Sequence, residues 1–581
     1  MTVMKRSISA IPQLYRNVRR WAEITSVLSR YGLADWLGRV NIDLIRDWLR
    51  DAEGEVIANQ PYPVRVRLAL TELGPTFIKF GQILSTRPDI AGAELADELA
   101  KLQSNTPADD FEYVRELVEE QQKCKLDDLF LEFGQTPIAS ASIGQVHSAK
   151  LTKEHCEASD NGKAARNVVV KIRHKDIEEK IETDLDILAG LAQLAERLED
   201  FRSYQPSAVV AELSKMLRHE LVFDREFRNL MQFRALFKDD NRIHIPKPFA
   251  RLCSEKMITM EQLDGIKLRD AKARVKTDLK NIDLSKVAKD GANLYLKMIF
   301  NHGFYHADPH PGNILLMRDG TLGLIDFGMV GRISEQLRED VESMLVSIVS
   351  RDASMLAALI KRIGKCPYDL DDAALSNDVA DFVGQYSTQV LSQFDMSGAL
   401  RDFVDIVRRY KIQLPSEASL LIKTLITLEG TARLLDPEFS LMEVMRPFQR
   451  MLLLKRLSPA RQMRKAQRFY LQLEQLAENL PNRISSILEQ VQTGRFDIHL
   501  VHRRLGPTVN RLVLGLMTSA LFLGSALMLS YKVSPLMFPD PGSYGIKDIS
   551  MIGLMGATVS IMMGLRLFWA IRKSGNLDQS D

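Results

Sequence analysis

The sequence reads Tyr305-His306-Ala307-Asp308-Pro309-His310-Pro311-Gly312-Asn313 and, shortly after, Ile325-Asp326-Phe327-Gly328, and these two stretches decide the fold. An aspartate, an asparagine five residues later and a second aspartate before Phe-Gly are the side chains needed for phosphoryl transfer. One carboxylate orients or deprotonates the nucleophile, while the amide and the other carboxylate hold metal ions against nucleotide phosphates. Asp308 is therefore the predicted catalytic residue, and Asn313 and Asp326 are the predicted metal ligands. Asp-Phe-Gly by itself is typical of an ordinary turn, but the upstream Asp-x4-Asn favours the catalytic interpretation.

A second motif lies upstream and reads Ala139-Ser140-Ala141-Ser142-Ile143-Gly144-Gln145-Val146. Its spacing is that of the protein-kinase phosphate loop, G-x-G-x-x-G-x-V. Ala139 and Ala141 replace the first two glycines, whereas Gly144 and Val146 are kept. Two Cβ atoms stiffen a loop that glycine would leave free to approach phosphates. We expect this loop, including Ser142, to bind nucleotide, and transfer to a protein hydroxyl to be less efficient.

The remaining nucleotide residues follow the loop. A β-branched run ends in Lys171, as in the kinase strand whose lysine grips the α- and β-phosphates. Its carboxylate partner is expected on a following helix, where Glu226 is the first choice and Glu220 the second; a solvated helix face is the alternative for either. Residues 260–265 follow an apolar strand and predict the hinge between two lobes, with Glu261 beside the adenine.

Elements that protein kinases use for protein substrates are missing from the sequence. Ala307 stands where an arginine usually precedes the catalytic aspartate, and no Ala-Pro-Glu follows Asp326. Residues 334–350 instead become polar and helical in pattern. The sequence therefore indicates nucleotide chemistry without a peptide-docking platform.

Taken together, these motifs resemble the UbiB family of atypical, protein-kinase-like kinases, the accessory proteins of coenzyme Q biosynthesis. Lys79-Phe80-Gly81-Gln82 is similar to the family's K-x-G-Q motif, residues 139–147 to its alanine-rich loop and residues 304–314 to its His-Ala-Asp-Pro-His-Pro-Gly-Asn signature. The resemblance runs from about residue 65 to about residue 335. It implies that Lys79 and Gln82 reach into the nucleotide site and restrain transfer to proteins; an exposed helix lysine is the alternative for Lys79.

One position departs from the family pattern. The family pairs K-x-G-Q with an E-x-D motif; Glu220 matches the glutamate, but Val222 occupies the aspartate position and Asp224 follows two residues later. Two residues on a helix are about 200° apart. On one helix Asp224 would therefore point elsewhere, and whether it replaces the missing acid stays open at this point, with Glu220 and Glu226 preferred.

Composition excludes other classes of function. The chain has 581 residues and a net charge of +2, which gives no electrostatic basis for nucleic-acid binding. Cys124, Cys156, Cys253 and Cys366 lack metal-site spacing. They suit a reducing compartment with neither a zinc site nor a disulfide framework.

Two apolar runs near the C-terminus, residues 512–530 and 549–565, have membrane-spanning length. Basic residues flank the pair, so the positive-inside rule predicts a hairpin whose two ends face the cytoplasm. Small residues could allow close helix approach: Gly515, Ser519, Gly553, Ala557 and Gly564. Buried core helices are the alternative. The expected location is the bacterial inner membrane with a cytoplasmic catalytic domain, or alternatively an organelle inner membrane.

Two further segments have the composition of membrane-contacting helices. Residues 455–468 are basic with interleaved Leu and Met, which suits either an anionic lipid surface or a solvated helix. Tyr15, Trp21, Tyr31 and Trp36 are interleaved with arginines. They are expected on membrane-facing helices, with packing against the kinase core as the alternative.

The predicted fold is α+β: a two-lobed protein-kinase-like domain with a helical N-terminal extension and a C-terminal transmembrane hairpin. The expected domains are residues 1–110, 111–262, 263–505 and 506–575. The resemblance implies Mg²⁺-dependent ATP hydrolysis, with ATP or ADP as ligand, in ubiquinone or related prenyl-quinone biosynthesis. Expected partners are membrane lipid, prenyl-quinone precursors and quinone-biosynthesis enzymes, with a homodimer left open and no nucleic acid. A kinase acting on a small molecule or protein and a pseudokinase scaffold are the alternatives.

Overall fold

The structure is a computed structural model. It describes residues 10–33, 60–102, 106–155, 167–198, 205–274, 282–367, 369–387, 394–456, 505–537 and 548–573, together with isolated positions at 389, 463, 467, 470, 474 and 485. The chain forms two compact units, residues 1–461 and 462–581, which are described separately. Cys156, Trp36 and the basic residues of 457–468 that carried sequence predictions lie outside the described residues.

The N-terminal part of the first unit is helical. Its helices are α1 (Ala10–Arg30), α2 (Tyr62–Leu73), α3 (Pro75–Leu84), α4 (Pro88–Ala91) and α5 (Ala93–Leu99). Helix α3 carries the K-x-G-Q motif. Pro75, its first residue, has no N–H and so cannot continue α2.

Two of the N-terminal aromatics pack inward, which corrects the expectation of membrane contact. Tyr31 is buried and its hydroxyl donates to Glu72 Oε2 at 2.9 Å. Trp21 packs against the apolar cluster that includes Leu73 and Ile187. The neighbouring Arg20 donates to Asp184 Oδ1 at 2.7 Å. Helix α1 and the adjoining Tyr31 therefore pack against α2 and α8, which agrees with the alternative prediction of packing within the protein.

The small lobe is built on an antiparallel sheet. Its strands are β1 (Phe130–Phe133), β2 (Ala139–Ser140), β3 (Gly144–Leu151), β4 (Asn167–Arg173) and, later in the chain, β6 (Met257–Glu261). They run in the order β1-β3-β4-β6, and β2 pairs with β3. The helices are α6 (Phe111–Gln122), α7 (Leu126–Leu129), α8 (Ile177–Glu196), α9 (Pro206–Glu220) and α10 (Phe223–Leu236).

Strand β4 shows how the alternation of side chains sets the site. Val168, Val170 and Ile172 are fully buried and point into the core. Successive strand residues point to opposite faces, so Lys171 points away from that core. Lys171 also pairs in register with Val146 of β3, which places its side chain beside the alanine-rich loop.

The large lobe combines short strands with a set of helices. Its strands are β5 (Ile243–His244), β7 (Gly265–Lys267), β8 (Phe304–His306), β9 (Ile314–Met317), β10 (Leu322–Leu324) and β11 (Val330–Arg332). One sheet has the order β5-β10-β9-β7, and β8 pairs with β11. The helices are α11 (Leu268–Arg274), α12 (Leu284–Leu296), α13 (Glu335–Val349), α14 (Ala353–Ile363), α15 (Asp372–Ser387), α16 (Met396–Arg409), α17 (Ser416–Leu435) and α18 (Leu441–Arg456). Residues 262–264 connect β6 of the small-lobe sheet to β7 of the large-lobe sheet, at the predicted hinge.

The second unit contains α19 (Leu505–Ser530), β12 (Leu536–Met537), β13 (Ile549–Ser550) and α20 (Met551–Lys573). Residues 511–530 and 551–569 are long and apolar enough to cross a membrane, and only 6% and 11% of them are buried. A Cβ on Gly553 would lie 2.9 Å from the Leu529 side chain and 3.1 Å from the Ser525 carbonyl oxygen, so the glycine lets the helices meet closely. The α+β, two-lobed kinase-like fold with two apolar C-terminal helices is confirmed.

Candidate active site

A cavity of about 80 Å³ collects most of the residues that the sequence predicted. Its lining comprises the predicted Lys79, Ala141, Ser142, Gly144, Lys171, Glu220, Glu226, Asp308, Asn313 and Asp326, together with Ile143, Phe223, Gly328 and Met329. These residues come from α3, the alanine-rich loop, β4, α9, α10 and the loops after β8 and β10. The fold therefore joins residues more than 200 positions apart in one small space.

Lys171 lies at the centre of a group of carboxylates. Its Nζ donates to Glu226 at 3.0 Å (Oε1) and 2.8 Å (Oε2), and lies 3.5 Å from Asp326 Oδ1. Burial alone would lower the pKa of Lys171, but the carboxylates of Asp326, Glu226 and Glu220 outweigh burial and raise this pKa. Lys171 thus carries a stable positive charge that is held in place, as binding of the α- and β-phosphates requires.

Asp326 has an unusual backbone conformation. Its φ is +65°, in the left-handed region that side chains other than glycine seldom adopt. The Gly328 N–H donates to Asp326 Oδ1 at 3.2 Å, and His306 Nε2 lies 2.8 Å from the Asp326 carbonyl oxygen. The Lys171 ammonium is the main cause that lowers the pKa of Asp326, and the Lys79 ammonium assists. The carboxylate is therefore ionised at neutral pH and turned into the cavity, as a metal ligand must be.

The loop that carries Asp308 is tied to the Asp-Phe-Gly segment. Asn313 Nδ2 donates to Asp308 Oδ2 at 2.8 Å, which leaves the amide oxygen Oδ1 of Asn313 as an acceptor. The Ile325 N–H donates to the Asn313 carbonyl at 3.0 Å, and the Ala307 N–H donates to the Met329 carbonyl at 3.0 Å. The two motifs first noted in the sequence are thus one hydrogen-bonded structure.

The alanine-rich loop is a tight strand connection. Ala139 pairs with Val146 across β2 and β3, and the Ala141 N–H donates to the Gly144 carbonyl at 2.9 Å. A Cβ on Gly144 would collide with the carbonyl oxygen of Ile172 on β4. Glycine is therefore required here for close packing of two strands, whereas sequence reasoning had connected it with phosphate.

Sequence reasoning missed a buried residue that supports this loop. His174 lies between Asp109 and the loop: its Nδ1 is 2.7 Å from Asp109 Oδ2, and its Nε2 is 2.9 Å from the Ala141 carbonyl oxygen. The position of His174, three residues after Lys171 at the end of β4, is the signal that could have indicated a role near the phosphates.

Lys79 enters the cavity from outside the two lobes. Its Nζ is 2.6 Å from Glu220 Oε2, and the two side chains are only 16% and 13% exposed. Burial disfavours the ammonium, but Glu220 and Asp326 outweigh burial and raise the pKa of Lys79. Lys79 is therefore a buried, charged member of the site, and the alternative of an exposed helix lysine does not hold.

Other predicted residues lie outside the cavity lining. Gln82 Nε2 donates to the Leu102 carbonyl at 2.9 Å, so this bond holds the segment after α5. The Glu261 carboxylate lies 3.2 Å from His244 Nε2. The backbone N–H of Glu261 donates to the Lys247 carbonyl. Ala139 and Val146 serve as strand residues next to the loop.

Asp224 requires a correction. Helix α9 ends at Glu220 and α10 begins at Phe223, so residues 220–224 do not share one helix. The rotation of about 200° that one continuous helix would place between Val222 and Asp224 therefore does not apply. Asp224 lies in the first turn of α10, 3.5 Å from Arg228 Nη1. It does not replace the missing acid in the cavity.

The donor set fits a magnesium ion. Mg²⁺ prefers oxygen ligands and is commonly held by one or two protein groups while nucleotide phosphates and waters complete its shell. Asn313 offers its amide oxygen and Asp326 a carboxylate, both at the cavity. Asn313 and Asp326 thus provide the one or two protein oxygen ligands that this mode of Mg²⁺ binding needs.

The fold and site define the class of protein: a kinase-like protein with an alanine-rich loop in place of the glycine-rich one and an additional lysine in the cavity between its motifs. The ABC1 atypical kinase-like domain matches residues 101–360, the UbiB helical domain residues 379–440, and the ABC1/UbiB kinase-like C-terminal domain residues 497–573. The chain belongs to the ABC1/UbiB family of atypical kinase-like proteins.

The chain is similar to two relatives and one solved structure as follows. A "Probable protein kinase UbiB" of Shewanella pealeana is 30% identical over 91% of this chain and 96% of its own. An uncharacterized protein in the hydrogenase 1 5′ region of Clostridium pasteurianum is 30% identical over 97% of this chain and 100% of its own. The structure of the Rv3197–erythromycin complex from Mycobacterium tuberculosis is 22% identical, covers 63% of this chain and 90% of its own, and gives a TM-score of 0.41.

Proposed function

We propose that this protein is a membrane-anchored, Mg²⁺-dependent ATPase of the atypical kinase type, acting in the biosynthesis of ubiquinone or a related prenyl-quinone by handling its lipid precursors. One observation carries the proposal. The phosphate and metal residues meet in one cavity, and a lysine from outside the kinase lobes is held in that cavity by Glu220. Membership of the ABC1/UbiB family supports the biosynthetic role.

Each residue has a role in hydrolysis. Lys171, held by Glu226, binds the α- and β-phosphates, and Asn313 and Asp326 hold the magnesium. A magnesium ion held there would supply charge neutralisation for the transferred phosphoryl group. Asp308, oriented by Asn313 Nδ2, orients the attacking water. Lys79 occupies part of the space beside these groups, which disfavours a bulky protein hydroxyl as acceptor.

The apolar C-terminal helices support the membrane part of the proposal. Basic residues at both ends of the pair favour a two-pass hairpin in a bacterial inner membrane, with the catalytic unit in the cytoplasm. Prenyl-quinone precursors reside in that membrane. Hydrolysis beside it would give soluble quinone-biosynthesis enzymes access to them.

The test is phosphate release from Mg-ATP by the full chain in phosphatidylcholine liposomes, with and without phosphatidylglycerol. We expect release that the anionic lipid stimulates, and a loss of roughly 10²–10⁴-fold in Asp326→Asn. Asp224→Asn is the matched control, because Asp224 lies outside the cavity lining and pairs with Arg228. Equal release by wild type and Asp326→Asn would reject the metal assignment.

Two outcomes would instead favour the other classes of function. Stoichiometric transfer of labelled phosphate to a small molecule or protein would show a true kinase. Tight Mg-nucleotide binding without release would show a pseudokinase scaffold.

A further inference from the structure

Helix α17, which lies within the helical domain, contacts the catalytic loop on both sides of Asp308. Thr431 Oγ1 donates to the Pro309 carbonyl at 2.8 Å, and Thr424 Oγ1 lies 3.1 Å from the Ala307 carbonyl oxygen. Both threonines are buried, with exposed fractions of 4% and 0%. The two carbonyl groups belong to the residues directly before and after Asp308.

The spacing of the threonines suits this contact. They are seven residues apart, or about two helical turns and roughly 10 Å along one face of the helix. Thr424 shares its single hydroxyl proton between the Ala307 carbonyl and the Leu420 carbonyl, which lies at 2.7 Å. The Thr431 hydroxyl donates to the Pro309 carbonyl without a competing acceptor of this kind, so Thr431 is the stronger of the two supports.

Lys423, the residue before Thr424 on the helix, brings a positive charge near the catalytic loop. Lys423 Nζ donates to Ser85 Oγ at 3.2 Å, just beyond the K-x-G-Q helix α3. Burial lowers the pKa of Lys423, the Asp308 carboxylate opposes this effect, and the Lys79 ammonium adds to it. Lys423 is thus within electrostatic range of both Asp308 and Lys79, which agrees with a helix that borders the active site.

The catalytic loop needs such support. Ala307 has no side chain that could brace the loop, and Pro309 and Pro311 have no N–H to donate. With these two N–H groups missing, the carbonyl groups before and after Asp308 are further backbone groups that a neighbour can hold. Buried carbonyl groups need hydrogen-bond partners, and α17 supplies two hydroxyls on the buried side of the loop.

We propose that Thr431 and Thr424 are positioning residues, which hold the loop so that Asp308 faces the cavity, and that α17 thereby supports the active site through this loop. A misplacement of about 1 Å can cost about 100-fold in rate. A Thr431→Val variant keeps the shape of the side chain and removes its donor. We expect turnover to fall about tenfold while affinity for Mg-nucleotide stays within about twofold.

The first experiment does not depend on turnover. Hydrogen–deuterium exchange of the full chain in detergent micelles is followed in peptides from residues 304–317, with β4 as an internal reference. Thr431→Val should speed exchange in the loop peptides and not in β4, while Thr431→Ser, which keeps the hydroxyl, should match wild type. Thr427→Val is the control on the same helix, because Thr427 is half-buried and its hydroxyl makes no hydrogen bond to the residues that the structure describes.

The outcomes decide the proposal in each case. Loop exchange equal to wild type in both Thr431→Val and Thr424→Val would overturn it. If Thr431→Val speeds exchange in β4 as well, Thr424→Val decides the question: faster exchange in the loop peptides alone supports the proposal, and no change in them overturns it.

The second experiment measures kcat and KM for phosphate release, and this arm rests on the proposed function. A lower kcat at unchanged KM in Thr431→Val, restored in Thr431→Ser, supports positioning. An unchanged kcat with faster loop exchange would overturn a role in catalysis. If wild type itself releases no phosphate, the proposed function fails, and the exchange experiment alone decides whether α17 positions the loop.

Discussion

The Lys79→Met variant gives the sharpest test of the electrostatic design of the site. It removes the ammonium that lies 2.6 Å from Glu220 and keeps most of the side-chain volume. Glu220 would then remain in a nearly buried position close to two further carboxylates, Glu226 and Asp326. Two effects are expected: loss of stability, and loss of the ammonium that is proposed to restrain phosphate transfer.

The size of the first effect follows from the geometry. At 2.6 Å and an effective dielectric constant of about 20, the Coulomb attraction of the pair is about 6 kcal/mol before desolvation is subtracted. Breaking a buried pair by removing one partner costs about 3–5 kcal/mol. Because both side chains keep some exposure, we expect about 3 kcal/mol.

The chain contains a matched control pair. Arg218 on α9 lies 2.7 Å from Glu182 on α8, but these side chains are 49% and 44% exposed. An exposed pair contributes about 0–1 kcal/mol, so Arg218→Met should destabilise the protein much less than Lys79→Met. The assay is the free energy of unfolding of the full chain in detergent, from urea denaturation followed by circular dichroism. Equal losses in the two variants would refute the reasoning.

The second effect concerns phosphate transfer. If Lys79 restrains transfer, Lys79→Met incubated with radiolabelled ATP should phosphorylate itself faster than wild type does. A double variant with Asp326→Asn should lose this activity, which excludes a contaminating kinase. Self-phosphorylation that stays at the wild-type level would show that Lys79 does not restrain transfer.

Three other predictions follow from single contacts. Gly144→Ala should destabilise the protein by about 1–3 kcal/mol, because its Cβ collides with the Ile172 carbonyl oxygen; an unchanged melting temperature would contradict this. Burial raises the pKa of the Cys253 thiol to about 11, so maleimide at pH 7.5 should label the exposed Cys366 long before Cys253, as peptide mass spectrometry can show. Arg242 is the main cause that lowers the pKa of Asp240, so the stability that Asp240 supplies is present above the unfolded value of about 4 and is lost as pH falls below it. Asp240→Asn should therefore cost about 2 kcal/mol at pH 7 and less below pH 4; a constant difference in melting temperature across that range would contradict the assignment.

The sequence alone predicts those residues whose shared chemistry requires a characteristic spacing along the chain. Asp308, Asn313 and Asp326 follow one another in a short stretch, and Lys171 ends a strand whose alternation is visible in the valines before it. The two-lobed fold and its apolar C-terminal helices follow from such local patterns. Glu226 was the preferred partner of Lys171, and the structure places it there at 2.8 Å.

The rest depends on tertiary placement that local patterns do not contain. The sequence does not reveal that a break after Glu220 separates it from Asp224, because nothing in Leu221-Val222 marks the end of a helix. Nor does it reveal that Gln82 bonds to Leu102, since the two are twenty residues apart. Lys423 gave a signal that was missed: it is a single charge within the apolar run Leu420-Leu421-Ile422 and Leu425-Ile426.

Nucleotide access follows from the size of the cavity and from what closes it. A small-molecule site commonly has about 300–1,000 Å³, whereas this cavity has about 80 Å³. As it stands, the cavity therefore holds only part of the nucleotide that the proposed function requires, and movement of a lining element would enlarge it. Strand β4 and the Asp308 loop are fixed by sheet pairing and by backbone hydrogen bonds to the Asp-Phe-Gly segment, so they are poor candidates.

Helix α3 is the better candidate. Its polar links to the cavity side of the protein include the Lys79–Glu220 pair and the bond between Ser85, just after the helix, and Lys423. An entering phosphate would compete with Glu220 for Lys79, since both are anions and the phosphate offers more oxygen acceptors. Nucleotide binding and release of Lys79 from Glu220 are then two sides of one equilibrium, and by linkage the Lys79→Met variant should change nucleotide affinity as well as stability.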